Sequence, residues 1–490
     1  MQLRTSGRNI LRTSLILTSL LASSMATPVL AAVKLSPQTV VDLALTKGRR
    51  ARGAELQAQR AYLTLQQALG VFDFQFKVSP YYQYTEAQTV RLNDDLATRT
   101  FAVSTSLEKK IRTGTTFLVE FQNEQYNVTR VVGSALDANV SLNTAGVGVR
   151  QALWRNAFGY ADRLGLIIGR SEIDAALETR EEDLEQILLD AMTLYWDTYT
   201  AERQLKENIA AREKYEQLVK NVRRKAGFNL STPGELPRLQ AEFEGAEQKV
   251  KSSSAAYLES LQKLLTAIQF QTKEQVELEV PAELPPVPQL RAKDLANLRK
   301  IRAAATRQLN AERRVSTAKS NASARFDLVA RARSTGVENE NGASLAEMTA
   351  NTKPTYYVGI EFESPLDSDL NRGNVTDAEV QLRQAENDLA VELDNLRDEQ
   401  SALERQVVSQ YAIAKSAAET VELRARVVRE LETAYRQGRQ PLVELIRAYN
   451  ELFNSQLERA RTVGNYHITL NKLAAARDEL VNPGSTNRNR

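Results

Sequence analysis

The single histidine, His467, is the side chain best suited to acid–base work near neutral pH. It stands on a helical stretch beside Tyr466 and Leu470, with no nucleophile or carboxylate at a supporting spacing, so packing or exposure is the expectation rather than catalysis. The acidic run Glu181-Glu182-Asp183 lies in a charged helical segment and reads as an ordinary solvated face. Gly146-Val147-Gly148 lacks the glycine spacing and the following helix of a phosphate loop, and it reads as strand. Zero cysteines exclude disulfides, thiolate metal sites and a cysteine nucleophile. No nucleophile–base constellation or metal-ligand spacing remains, so the sequence predicts a protein that is not an enzyme, without catalytic residues, cofactor or metal.

The elements that would position any site are long. A helical hairpin is predicted over 161–270, and a second copy over 374–476. Leu184, Leu188, Met192, Tyr195 and Tyr199 recur at spacings of three and four along the first arm, as in a coiled-coil seam. From Ala161 to Ala226 that arm makes a rod of roughly 100 Å. A compact chain of this length would be only about 60 Å across, so the molecule must be elongated.

The N-terminus carries Arg4, Arg8 and Arg12, an apolar run from Leu15 to Ala22 and the small-residue pattern Val29-Leu30-Ala31, which predicts a signal peptide over 1–31. Lys and Arg number 64 against 61 Asp and Glu, and the leader arginines account for the excess. A neutral exported chain has no basic stripe and argues against nucleic acid as partner.

The first repeat, 32–270, opens with Ser36-Pro37 capping a helix that should run to Gly70. Phe72, Phe74, Phe76, Val78, Tyr82 and Tyr84 then alternate with polar residues, and weaker alternation continues through 71–150 around Phe101, Phe117 and Val140 to Val149. Turns are expected at Asn93-Asp94-Asp95 and at Thr113-Gly114. A proline-rich linker over 271–289 includes Pro281, Pro285 and Pro286.

The second repeat, 290–480, brings another helix, strands over 325–364 with a polar loop at Thr335 to Thr352, and a tail, 481–490. Phe74 matches Phe326 at an offset of roughly 250 residues and Gly146 matches Gly359 at roughly 210, so the first strand region holds about 40 extra residues.

Arm lengths close. Two shorter helices, 235–270 and 291–321, together return the distance of the first rod, and 442–476 with 36–70 do so for the second. Both strand pairs then lie at one end. Amphipathic strands in an exported chain predict membrane β-structure, but four strands cannot close and open edges in lipid are forbidden. Copies must complete the wall: three protomers of four strands, or of six if the extra residues add a hairpin.

At this point the chain resembles the TolC family of outer-membrane efflux channels over essentially its whole mature length. Gln151-Ala152-Leu153 and Ser364-Pro365-Leu366, where strand passes to long helix, carry the likeness, as does Tyr435-Arg436-Gln437-Gly438-Arg439-Gln440-Pro441-Leu442-Val443-Glu444-Leu445. The resemblance implies a mainly α fold with membrane β: coiled-coil hairpins in two internal repeats form a trimeric α-barrel in the periplasm, capped by a β-barrel shared between protomers in the outer membrane. Its implied function is a passive exit duct of a tripartite efflux pump or a type I secretion system. Implied partners are two further copies, outer-membrane lipid, a periplasmic adaptor and an inner-membrane transporter.

The family closes its periplasmic end with acidic residues after the second tip glycine. Glu444 matches the first, whereas Arg447 replaces the second and is placed to pair with Glu444 in a mixed-charge aperture. Gly227 and Gly438 are expected to take left-handed backbone at the helix ends. The tips are expected to meet the adaptor through Gly227, Glu235, Arg238, Gly438, Arg439, Gln440 and Leu442. A periplasmic coiled-coil adaptor is the alternative, although one hairpin between compact β-domains would suffice for it.

Overall fold

The computed structural model describes residues 33–86, 95–130, 138–228, 233–272, 276–280, 283–289 and 294–480. The predicted leader over 1–31, Asn93-Asp94, Pro281 and the tail from 481 lie outside the described residues.

A short strand β1 (Val33–Leu35) precedes helices α1 (Pro37–Lys47) and α2 (Arg49–Gly70). Four strands follow, β2 (Phe74–Glu86), β3 (Asp95–Lys110), β4 (Thr115–Arg130) and β5 (Ala138–Ala152). The first hairpin is α3 (Tyr160–Gly227) with α4 (Glu235–Ala267), after which comes β6 (Val276–Leu278). The second repeat contains α5 (Arg299–Ala322), β7 (Arg325–Glu338), α6 (Asn341–Ala350), β8 (Pro354–Glu363), α7 (Asp369–Arg436) and α8 (Leu442–Ala476).

Ser36 caps α1 as its position predicts: its Oγ accepts from the Thr39 amide at 3.2 Å, with Pro37 in the first turn. The helix expected to reach Gly70 unbroken instead divides at Gly48, which is extended at φ −62°, ψ 127°. A Cβ at Gly48 would run into the Ala44 carbonyl, so only glycine fits the break.

Helices α3 and α7 contain 68 residues each, rods of about 100 Å. Helices α4 and α5 pack along α3, as do α2 and α8, while α7 takes α8 and α5. The largest buried side chains gather midway along α3. There Leu188, Tyr195 and Trp196 meet Leu35 and Val40 from the N-terminus, Leu264 and Ile268 from α4, and Leu278 of β6. Strands β1 and β6 pair in parallel across this core. The Tyr195 hydroxyl sits between them, donating to the Glu279 carbonyl at 2.5 Å with the Leu35 carbonyl 3.3 Å away.

The strands form one six-stranded sheet in the order β2-β3-β4-β5-β7-β8, antiparallel throughout. Direct pairing of β5 with β7 brings both strand regions to one end, as the rod lengths require. Of the two wall compositions, the described residues form the six-stranded one: β3 and β4 are the extra residues of the first half. Among the described residues β2 and β8 each have one edge without a strand partner.

The polar loop expected at 335–352 is the end of β7 followed by helix α6. Ser344 Oγ donates to the Gly336 carbonyl at 2.7 Å and Ser334 Oγ to that of Met348 at 2.6 Å, laying α6 on β7. Local polarity hid this helix, since its anchors are side-chain bonds to the neighbouring strand.

Candidate functional site

Adjacent rungs of the sheet belong to opposite chemistries. Phe76, Leu107, Val119, Val147, Ala332 and Tyr356 stand opposite one another in sequence across all six strands. The next rung is Lys77, Ser106, Glu120, Gly146, Arg333 and Thr355. Because successive residues of a strand point to opposite faces, one face is apolar and the other polar. Phe76 is 67% exposed and Tyr356 75%, far above what a water-facing sheet retains without cause.

On the polar face several arginines are paired with carboxylates. Arg333 Nε reaches Glu120 at 2.6 Å, and Arg331 reaches Glu361 at 3.4 Å. Arg325 meets Asp327 at 2.7 Å and Glu363 at 3.2 Å. Gly146 lets Arg333 cross over β5 to reach β4: a Cβ there would lie 2.9 Å from both Arg333 Cγ and Glu120 Oε1. The Gly146-Val147-Gly148 segment is therefore strand, as expected, with its glycines making room for arginines.

Where β5 becomes α3, Asn156, Phe158 and Gly159 have positive φ. Asn156 Oδ1 accepts from the amides of Ala161 at 2.8 Å and Asp162 at 3.2 Å, satisfying free donors of the first helical turn.

At the far end of the hairpins, Tyr215, Leu218 and Val222 of α3 pack with Leu239 of α4, Val428 of α7, and Leu442, Leu445 and Tyr449 of α8. Leu442 is 1% exposed, so it anchors the tip core and is not an exposed docking side chain. Arg439 and Gln440 are exposed. Gly438 has φ +73°, and the amides of Gly438 and Arg439 bond back to the carbonyls of Tyr435 at 3.0 Å and Ala434 at 2.9 Å. Gly227 does not share this role. It ends α3 in helical geometry, and Gly234, at φ +89°, takes the left-handed position before α4.

Glu444 is exposed in the first turn of α8, where a negative charge suits the helix dipole. Arg447 does not pair with it. Its guanidinium turns one turn onward to Glu451 at 3.2 Å. Arg238 is exposed, and Glu235 lies close enough to Tyr435 to help burial push that phenol up. Lys225 Nζ sits 4.4 Å over the same ring, so the two tips touch.

Sequence reasoning missed a charge cluster midway along the rod. Arg299 of α5, 5% exposed, pairs with Glu185 of α3, itself 1% exposed, and reaches Glu181 and Asp478 at 3.4 Å each. Lys300 meets Glu182 at 3.1 Å. The supposedly solvated run Glu181-Glu182-Asp183 thus holds α5 to α3 through its first two residues. Glu185 also accepts from the Leu480 amide at 3.1 Å. Burial pushes its carboxyl up to about 7 against the pull of Arg299. Carboxylates of Glu182, Glu185 and Asp478 come within 4.8 Å of one another, a spacing that could hold a cation, but Arg299 already pairs with Glu185 and Asp478, and Lys300 with Glu182.

Of packing and exposure, His467 packs: 8% exposed, its ring lies 3.8 Å from that of Trp196 at an interplanar angle of 6°, and burial lowers its pKa to about 4.

A sheet with one apolar and one charge-paired face, mounted on two repeated hairpins of 68-residue rods, is the fold of TolC-type outer-membrane channels. The chain is 13% identical to VceC from Vibrio cholerae, at TM-score 0.65 over 91% of this chain and 97% of that one. It is 13% identical to the Campylobacter jejuni channel CmeC, at TM-score 0.69 over 92% and 88% of the two chains. The open state of Neisseria gonorrhoeae MtrE matches at 14% identity and TM-score 0.66, over 91% and 89%. No protein-family model matches the sequence, and no curated protein does.

Proposed function

We propose that this protein is the outer-membrane exit channel of a tripartite efflux pump or type I secretion system, working as a homotrimer. It is a passive duct for small molecules or polypeptides delivered by a periplasmic adaptor and an inner-membrane transporter. The observation that carries this is the amphipathic sheet whose two edge strands, β2 and β8, lack strand partners among the described residues. A lipid-facing sheet must have every backbone group paired, so copies of the chain have to supply the missing edges. A second unpartnered surface agrees: Leu370, Val380, Val391, Ile413 and Leu423 are exposed on α7 at spacings near three or six helical turns, a stripe suited to a neighbouring helix.

In the trimer Glu444 and Arg447 approach the three-fold axis at the periplasmic aperture. The exposed Arg238, Arg439 and Gln440, with Glu235 behind them, face the adaptor. Heat-modifiable trimers in an outer-membrane fraction, together with complementation of an efflux-deficient strain, test the assignment. A soluble periplasmic monomer would point to an adaptor and refute it.

A further inference from the structure

Resting on the channel reading above, we propose that the assembled pore has an eighteen-stranded wall, six strands from each of three copies, with hairpin β3–β4 as a built-in widening element. Barrel diameter grows roughly linearly with strand number, so this wall is about 1.5 times as wide as the twelve-stranded one that β2, β5, β7 and β8 alone would build. At about 16–18 strands a barrel encloses a true aqueous channel, which suits bulky or polymeric solutes. The outer-membrane segment is then no size filter for them.

The hairpin is integrated into the wall at three levels. It carries the rung of Phe76 and Val147 through Leu107 and Val119, and the rung of Lys77 and Gly146 through Ser106 and Glu120. Its turn is clamped to the strand-to-helix corner: Gly114 sits so close to the Gly159 backbone that a Cβ would clash. Arg163 donates to the Arg112 carbonyl at 3.2 Å, Gln151 to that of Thr113 at 3.1 Å, and Lys110 pairs with Asp162 at 2.6 Å. Thirdly, it carries Glu120, the partner of Arg333 from the second repeat. A loop merely resting against a four-stranded wall would need none of these.

The insertion also preserves the inside-outside pattern. Val78, Thr105, Phe121 and Ala145 occupy one rung, so removing two whole strands leaves Val78 and Ala145 on the same face. With an even number of strands, β8 of one copy runs antiparallel to β2 of the next.

Electron cryomicroscopy of the full-length trimer in lipid nanodiscs should show eighteen strands. The chain has no cysteine of its own, so engineered pairs report cleanly. On oxidation with copper phenanthroline, Val78→Cys with Thr105→Cys should cross-link within a protomer at least tenfold more than Val78→Cys with Ala145→Cys. Deleting 95–130 should reverse the preference, with Val78→Cys tested against Ala145→Cys in a twelve-stranded trimer. A full-length trimer with twelve strands and a Val78–Ala145 cross-link would overturn the widening while leaving the channel assignment intact. A lone protomer in lipid would sink both.

Discussion

Replacing Glu185 by glutamine isolates the cost of burying a charge midway along the rod. The carboxyl is 1% exposed, and burial raises its pKa from 4.5 to about 7. A raised pKa means that the folded state holds a proton which the unfolded chain has already released. Stability from this group is therefore fully present below about pH 4.5 and is lost as pH rises through about 7. At 1.36 kcal/mol per pKa unit, the shift amounts to about 3 kcal/mol per protomer across that window. The neighbouring groups Glu181, Glu182, Arg299, Lys300 and Asp478 remain in the variant, so the comparison isolates residue 185. Glutamine keeps an acceptor for the Leu480 amide but does not titrate. Guanidinium unfolding of the detergent-solubilised protein, followed by helical circular dichroism from pH 4.5 to 8, should show the wild type losing about 3 kcal/mol relative to Glu185→Gln. Parallel curves, or a wild type that gains with rising pH, would refute the account of Glu185 as a carboxylate buried at a net cost.

Leu442→Ala should destabilise the tip by about 2–5 kcal/mol, whereas Arg439→Ala should stay within about 0.5 kcal/mol. Hydrogen exchange at the tip reads the difference, and equal protection in the two would contradict the core placement of Leu442. Efflux in Arg439→Ala with Gln440→Ala should fall without a change in trimer yield; full activity would remove those residues from the docking surface. Glu444→Gln should weaken cation selectivity in planar bilayers, and an unchanged reversal potential would show that the aperture lies elsewhere. Glu120→Gln leaves Arg333 without its acidic partner, so the same measurement should move toward anions.

Much of the architecture was readable in the residues because it is periodic. Apolar positions at spacings of three and four mark α3, alternation from Phe74 marks β2, and the matches of Phe74 with Phe326 and of Gly146 with Gly359 mark two copies of one unit. Rod lengths alone placed both strand regions at one end, and Ser36-Pro37 marked a helix start where α1 begins. These signals are local, since a helix or strand advertises its buried face through its own spacing.

What the tertiary structure decided depends on partners far away in the chain. Leu442 beside a turn looks exposed until Leu239 and Val428 close over it. Glu181 and Glu182 look solvated until α5 brings Arg299 and Lys300 against them. Arg447 at three residues could have met Glu444, but its side chain found Glu451 one turn further along the same face. The place of the extra hairpin inside the wall also awaited pairing, because amphipathic alternation states which face a strand buries and not which strand lies beside it. Sequence therefore determined the lengths, periods and repeat of this protein. Contacts between distant segments determined its strand count and which charges are buried.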